Sequence, residues 1–244
     1  MLRNLIIAVI AVVSSLSGAV AQQSGYYLTI DQVPNSKDLL PPPPDTASAR
    51  FAYDVEQYEW GKSLRDTPRG DLAADDAELG DAGLTAAFSE AFGIDITPEN
   101  TPEVYRLITG MREDAGDLST RHAKNYYMRT RPYIFFNEDT CVPDAQAGLA
   151  GNGSYPSGHT AKAWATALIL AELNPARQDA ILKRGFEMGQ SRVICGYHFQ
   201  SDVDAGRIVG SGVVARLHAD DAFNRQLKKA KKEMTKLIKK GLVK

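Results

Sequence analysis

Apolar residues along this chain recur at helical intervals. Val104, Leu107, Ile108 and Met111 follow at steps of three, one and three, which gathers them on one face of a helix. Residues 160–173 (TAKAWATALILAEL) are apolar almost all round, the pattern of a helix buried on every side. Asn174-Pro175 punctuates it, and 176–190 forms the next helix. Val203, Ile208, Val209, Val213, Val214 and Leu217 mark another, whose Gly206, Gly210 and Gly212 cost helix propensity and predict close packing against a neighbouring helix. Phe223, Leu227, Ala230, Met234 and Leu237 repeat at four, three, four and three, an amphipathic final helix with lysines on its other face. From Ser119 the chain runs without Gly or Pro to Arg131, and Pro132 then stops any helix. Strand signals are almost absent. The predicted fold is all-α, a single-domain helical bundle over residues 40–244.

The first fifty residues read differently. Arg3, an unbroken apolar run from Leu5 to Val13 and a small-residue stretch ending Ala19-Val20-Ala21 have the layout of a cleaved secretory signal over 1–21. The run is too short to span a bilayer, and no later stretch is long enough. Pro41 to Pro44 cannot be helix interior, because each Pro fixes φ and lacks an amide donor. Residues 22–39 are therefore expected to be an extended N-terminal arm.

Composition changes this picture little. The 244 residues are 43% apolar and 24% charged, which excludes a disordered chain, a collagen-like fibre and a small disulfide scaffold. Charge is more informative. Residues 225–244 carry a net charge of +8 and everything before them −10. An acidic body with a basic tail is not the pattern of a nucleic-acid binder, whose basic face lies on the folded domain. Cys141 and Cys195, in a chain expected to be exported, are either a disulfide or two buried thiols; spacing alone does not decide.

Three stretches share one chemical theme. In the first, Lys124 and Arg131 are seven apart, so on a helix they share a face two turns apart, either converging on an anion or forming a solvated basic face. In the second, Gly153 to Thr160 (GSYPSGHT) makes a turn into the buried helix, whose free amides are a ready anion cradle. Ser157 would add a hydroxyl donor, Gly158 would allow close approach, and His159 would sit on the first helical turn; a plain capped helix is the other reading. In the third, Arg192 offers a permanent cation whose fork matches phosphate oxygens. His198 and Asp202, four apart, would meet on one helical turn, the carboxylate fixing the imidazole tautomer. They are alternatively a structural His–Asp pair.

Taken together, K-x6-R-P, P-S-G-H and S-R-x5-H-x3-D resemble the signature of the type-2 phosphatidic acid phosphatase superfamily, which also holds the vanadium haloperoxidases and the bacterial non-specific acid phosphatases. LPPPP at 40–44, TPRGDLA at 67–73, EDAGDLSTR at 113–121, GSYPSGHT at 153–160 and GQSRVICGYH at 189–198 look like the class A bacterial non-specific acid phosphatases, over roughly residues 39–230. Two departures stand out. Phe199 occupies a place where Trp is expected, and would alter pocket shape or leaving-group preference. The Lys-rich tail beyond Lys231 has no clear counterpart.

The resemblance implies that Lys124, Arg131 and Arg192 hold phosphate oxygens, that Ser157 and Gly158 add donors, that His198 is the nucleophile oriented by Asp202, and that His159 protonates the leaving oxygen. It implies a periplasmic phosphomonoesterase of broad specificity working through a phosphohistidine, with phosphotransfer to alcohols such as nucleosides as a secondary activity. His198 neutral and His159 protonated would give a bell-shaped pH dependence on the acidic side of neutral. The expected partners are small phosphate monoesters and further copies of the chain, as a dimer or larger, with no nucleic acid and no stable membrane insertion. No cofactor or metal is expected: the four histidines, His122, His159, His198 and His218, form no close-spaced pair and have no carboxylate cluster beside them. A membrane lipid phosphatase, a vanadate-dependent haloperoxidase and an anion-binding module using the basic tail are the competing readings.

Overall fold

The computed structural model describes residues 26–244, so the expected signal segment lies outside the described residues. Among those residues there are helices and connecting turns and no strand. The core is built around α8 (Gly158–Leu173). Its alanines at 161, 163, 165 and 167 are fully buried, and their small side chains let neighbouring helices approach closely. α9 (Gln178–Ile194) and α10 (Gln200–Leu217) pack along its two sides. A methyl group at Gly206 or Gly210 would lie 2.6 or 2.7 Å from the carbonyl of Ser157 or Ala161, so close packing is why those two positions carry no side chain. Gly212 shows no such contact.

A second layer covers α8 and α9. α2 (Ala49–Ser63), α3 (Pro68–Asp75) and α4 (Asp81–Phe92) lie against α9. α5 (Pro102–Glu113) buries Val104, Leu107, Ile108 and Met111 completely, each stabilising the fold by roughly 1.5–3 kcal/mol. α5 pairs with the last helix, α11 (Asp221–Lys239), which buries Phe223, Leu227, Ala230 and Met234 and turns its lysines to solvent. The one acidic residue of that basic stretch, Glu233, has a structural use. Its carboxylate accepts from the amides of Glu103 and Val104 at 3.0 Å, capping α5 from a neighbouring helix.

Three expectations are corrected here. The helix entered at Ser119, α6, stops at Tyr127, because Met128 takes a left-handed conformation at φ 42°. Arg131 is therefore not on the helix of Lys124 but in extended backbone, capping the short α7 (Pro132–Phe135). Nor do His198 and Asp202 share a helical turn: α10 begins at Gln200, and His198 precedes it. The arm is also not extended throughout, since Ser36–Leu39 forms one helical turn, α1. Its start is tied to the bundle at Asp114, in a widened turn (Asp114–Leu118) joining α5 to α6; the carboxylate accepts from the amides of Tyr27 and Leu28 at 2.7 and 2.9 Å.

Cys141 and Cys195 are joined in a disulfide. It fastens the loop between α7 and α8 to the end of α9, across a sequence separation of 54. Loop-closure entropy predicts that the Cys141→Ser/Cys195→Ser protein unfolds more easily by roughly 4 kcal/mol. Chemical denaturation of the two proteins measures this, and coincident midpoints would contradict it.

Candidate active site

Four segments converge at the N-terminal end of α8. α6 brings Lys124, the cap of α7 brings Arg131, the first turn of α8 brings Gly158 and His159, and the turn between α9 and α10 brings His198. These five line one cavity of about 180 Å³. A side chain at Gly158 would strike the Gly116 carbonyl at 2.5 Å, so the widened turn presses directly on the start of α8. Ser157 is fully buried, and its oxygen accepts from the amide and hydroxyl of Thr160, capping the helix.

The cations are held by backbone carbonyls more than by acids. Lys124 Nζ donates to the Gly153 carbonyl at 2.6 Å. Arg131 Nε donates to the carbonyls of Leu149 and Asn152, and Nη1 to that of Tyr197. Arg192, in the last turn of α9, stacks on the Tyr197 ring at 4.1 Å, and its Nε and Nη1 have no hydrogen-bond partner among the described residues. All three are almost removed from solvent: 8%, 3% and 1% exposed. Burial, reinforced by mutual repulsion, pushes Lys124 down to about 7 and Arg192 down to about 9; burial lowers Arg131 too.

The histidines sit in this positive field. Arg131 Nη1 lies 3.2 Å from His198 Nε2. An arginine only donates, so Nε2 carries the lone pair and Nδ1 the proton. Nδ1 is 3.2 Å from the Ser154 hydroxyl and 3.5 Å from Asp202 Oδ2, and Ser154 donates onward to that oxygen at 2.5 Å. Asp202 is fully buried. Burial alone would raise its pKa, but Arg129 and the bonds from His198 and Ser154 hold it well below the usual carboxylate range. His159 Nε2 reaches the Ala77 carbonyl at 3.3 Å. Burial, then Arg192, Lys162 and His198, hold the His159 pKa well below its ordinary value; burial and Arg131 do the same for His198.

Residues 113–225 match the model of the PAP2 superfamily. The chain is 58% identical over 214 residues to a non-specific acid phosphatase of Providencia stuartii, covering 88% of this chain and 86% of that protein. The chain belongs to the non-specific acid phosphatases of the PAP2 superfamily. It is also 44% identical over 200 residues to a non-specific acid phosphatase of Salmonella typhimurium, covering 82% of this chain and 80% of that one. An acid phosphatase of Zymomonas mobilis is 38% identical over 198 residues, 81% of this chain and 74% of its own.

Sequence reasoning missed several residues of this acid phosphatase fold's polar centre. Ser154 lies inside a stretch singled out for its turn, yet its hydroxyl bridges His198 and Asp202. Lys162 follows His159 by three positions on α8, lines the same cavity and is paired with Glu113 at 3.1 Å; that i, i+3 spacing was the available signal. Arg129, between the two expected cations, binds Asp202. Phe199 does not line the cavity, as its departure from Trp suggested. It is buried beneath the Arg129 guanidinium, 4.4 Å away, among Phe51, Phe135 and Phe136.

Arg192 yields a sharp expectation. A buried cation with two unpartnered nitrogens costs stability until an anion arrives. Arg192→Met is expected to melt at higher temperature than the parent protein without phosphate, by about 1–2 kcal/mol of stability. Adding inorganic phosphate should raise the melting temperature of the parent only. Calorimetry tests both, and a strongly destabilised variant would contradict the account.

Proposed function

We propose that this protein hydrolyses phosphate monoesters, with broad tolerance of the leaving group, through a phosphohistidine on His198. The observation that carries this reading is the excess of buried positive charge. Lys124 and Arg131 line one small cavity, and Arg192 is buried within electrostatic reach of Lys124 and His159. Of the carboxylates on the cavity wall, Glu113 is paired with Lys162 and Asp117 with Arg121, and Asp202, behind His198, is engaged by Arg129. A phosphate dianion supplies the missing charge, and its oxygens suit the two open nitrogens of Arg192.

The chemistry follows from the tautomer. His198 Nε2 attacks phosphorus in line with the ester oxygen while Asp202 and Ser154 take up the charge developing at Nδ1. The three cations stabilise the equatorial oxygens. The bond from phosphorus to the ester oxygen breaks, and protonated His159 gives its proton to that oxygen. His159 then takes a proton from water, which attacks phosphorus and releases the P–N bond. An alcohol entering in place of water would receive the phosphoryl group, which supports phosphotransferase activity as a second outcome. No step calls on a metal. The cavity recognises the phosphoryl group and leaves the rest of the ester outside, consistent with broad specificity. Export to the periplasm is supported by the pattern of residues 1–21 and by the disulfide, which persists in an oxidising compartment.

The pH dependence has a definite sign. His159 must be protonated to act as acid, and its pKa in the free protein is lowered, so the basic limb of kcat/KM falls below the ordinary histidine value of about 6.5. A bound dianion raises that pKa, so the basic limb of kcat should lie at higher pH than that of kcat/KM. Hydrolysis of a chromogenic phosphate ester across pH, in chelator, measures both limbs; coincident limbs above pH 8 would contradict the assignment of His159. In the same assay His198→Ala should lose about 10⁴-fold or more in kcat. Equal activity of the two proteins would refute the nucleophile.

A further inference from the structure

The carboxylate behind His198 is held by other groups. Oδ2 of Asp202 accepts from the Ser154 hydroxyl at 2.5 Å and the Phe199 amide at 2.9 Å, and Oδ1 from Arg129 at 2.5 Å. The imidazole nitrogen is more distant, at 3.5 Å. Arg129 reaches with its other terminal nitrogen to a second buried carboxylate, Asp54 on α2, at 2.7 Å. Asp54 is fixed in turn by the backbone amide and hydroxyl of Ser201, at 2.8 and 2.6 Å. Ser201 and Phe199 flank Gln200, so the turn that delivers His198 and Asp202 also delivers the groups that clamp Arg129.

We propose that Arg129, clamped by Asp54 and Ser201, is the positioning residue of this site: it fixes the plane and the charge of Asp202, and through them the attacking nitrogen of His198, without touching the substrate. The inference rests on the nucleophile assignment above. A carboxylate bound at both oxygens cannot rotate, and a planar guanidinium fork joins two carboxylates in a way that an ammonium cannot. Charge adds a second argument. Asp54, Arg129 and Asp202 together carry −1, which matches the positive charge that appears on His198 when Nε2 bonds phosphorus. Arg129 and Asp202 alone would be neutral.

The charged and titratable groups facing Asp202 are Arg129, Lys124 and Arg131 from the 119–131 segment, Tyr155 ahead of α8 and His198 ahead of α10, with Asp54 behind Arg129. Removing Arg129 makes both Asp202 and His198 easier to protonate, so the acid limb of kcat/KM moves to higher pH. Neutralising Asp54 leaves Arg129 uncompensated and moves that limb to lower pH. A residue with only a structural role would not produce opposed shifts.

The test compares Arg129→Gln, Arg129→Lys, Asp54→Asn and His198→Ala in the full chain, each checked by thermal melting, with a chromogenic phosphate monoester as substrate and inorganic phosphate as competitive inhibitor. Arg129→Gln should lose about 100-fold in kcat, with its acid limb raised. Its inhibition constant for phosphate should stay within about threefold of the parent, because Arg129 does not meet the anion. Arg129→Lys should keep the parent's acid limb but not its kcat. Asp54→Asn should lower kcat, and its acid limb should shift the opposite way. A folded Arg129→Gln with the parent's kcat and profile, beside an inactive His198→Ala, overturns the positioning role alone. Loss of phosphate affinity in step with kcat also overturns it. If Arg129→Gln does not fold, Asp54→Asn decides on the same readouts, and an unmoved acid limb overturns the proposal. A fully active His198→Ala overturns the nucleophile assignment and the positioning role together.

Discussion

The constraint on which the structure depends is the confinement of like charges away from water. Lys124 and Arg131 on the wall of one cavity, and Arg192 within electrostatic reach of Lys124, are each nearly buried, where water screens their repulsion weakly. A bundle of apolar helices does not tolerate this unaided. The cost falls on the free protein and would be recovered on entry of an anion, which is the physical basis of the proposed phosphate site.

The surrounding fold makes that confinement tolerable with neutral groups. Carbonyls from Gly153, Leu149, Asn152 and Tyr197 accept from Lys124 and Arg131 without cancelling their charge. Three of those carbonyls come from the loop that leads into α8, and the Tyr197 carbonyl comes from the turn after the Cys141–Cys195 disulfide. The disulfide therefore fixes carbonyls beside cations as well as closing a loop. The two acids on the cavity wall, Glu113 and Asp117, are paired with Lys162 and Arg121, so they leave the charge of Lys124 and Arg131 uncancelled. The two carboxylates that do lie close behind, Asp202 and Asp54, are matched to Arg129 and point their charge at the histidine.

The helical class was legible because burial writes a period of 3.6 into the sequence. The face Val104–Met111, the all-round apolar α8 and the 4-3-4-3 repeat of α11 each follow directly from which positions must leave water. The need for small residues at Gly206 and Gly210 was legible for the same reason. What misled was the assumption that residues near one another in sequence share a helix. Met128 breaks α6 before Arg131, and α10 starts after His198, so both pairs meet through turns.

The sequence by itself determined the helices, the buried faces and the chemical types gathered in three short stretches, because these depend on local periodicity and on side-chain chemistry. Only the tertiary structure decided which hydroxyl bridges His198 to Asp202, which cations lack a partner, that Cys141 reaches Cys195, and that Asp54 stands behind Arg129. Asp54 and Arg129 are 75 positions apart. Nothing local links them. Their pairing exists because the packing of α2 beside α9 and α10 brings a buried carboxylate within reach of a guanidinium already bound to Asp202, and a buried charge is tolerated only when it is paired.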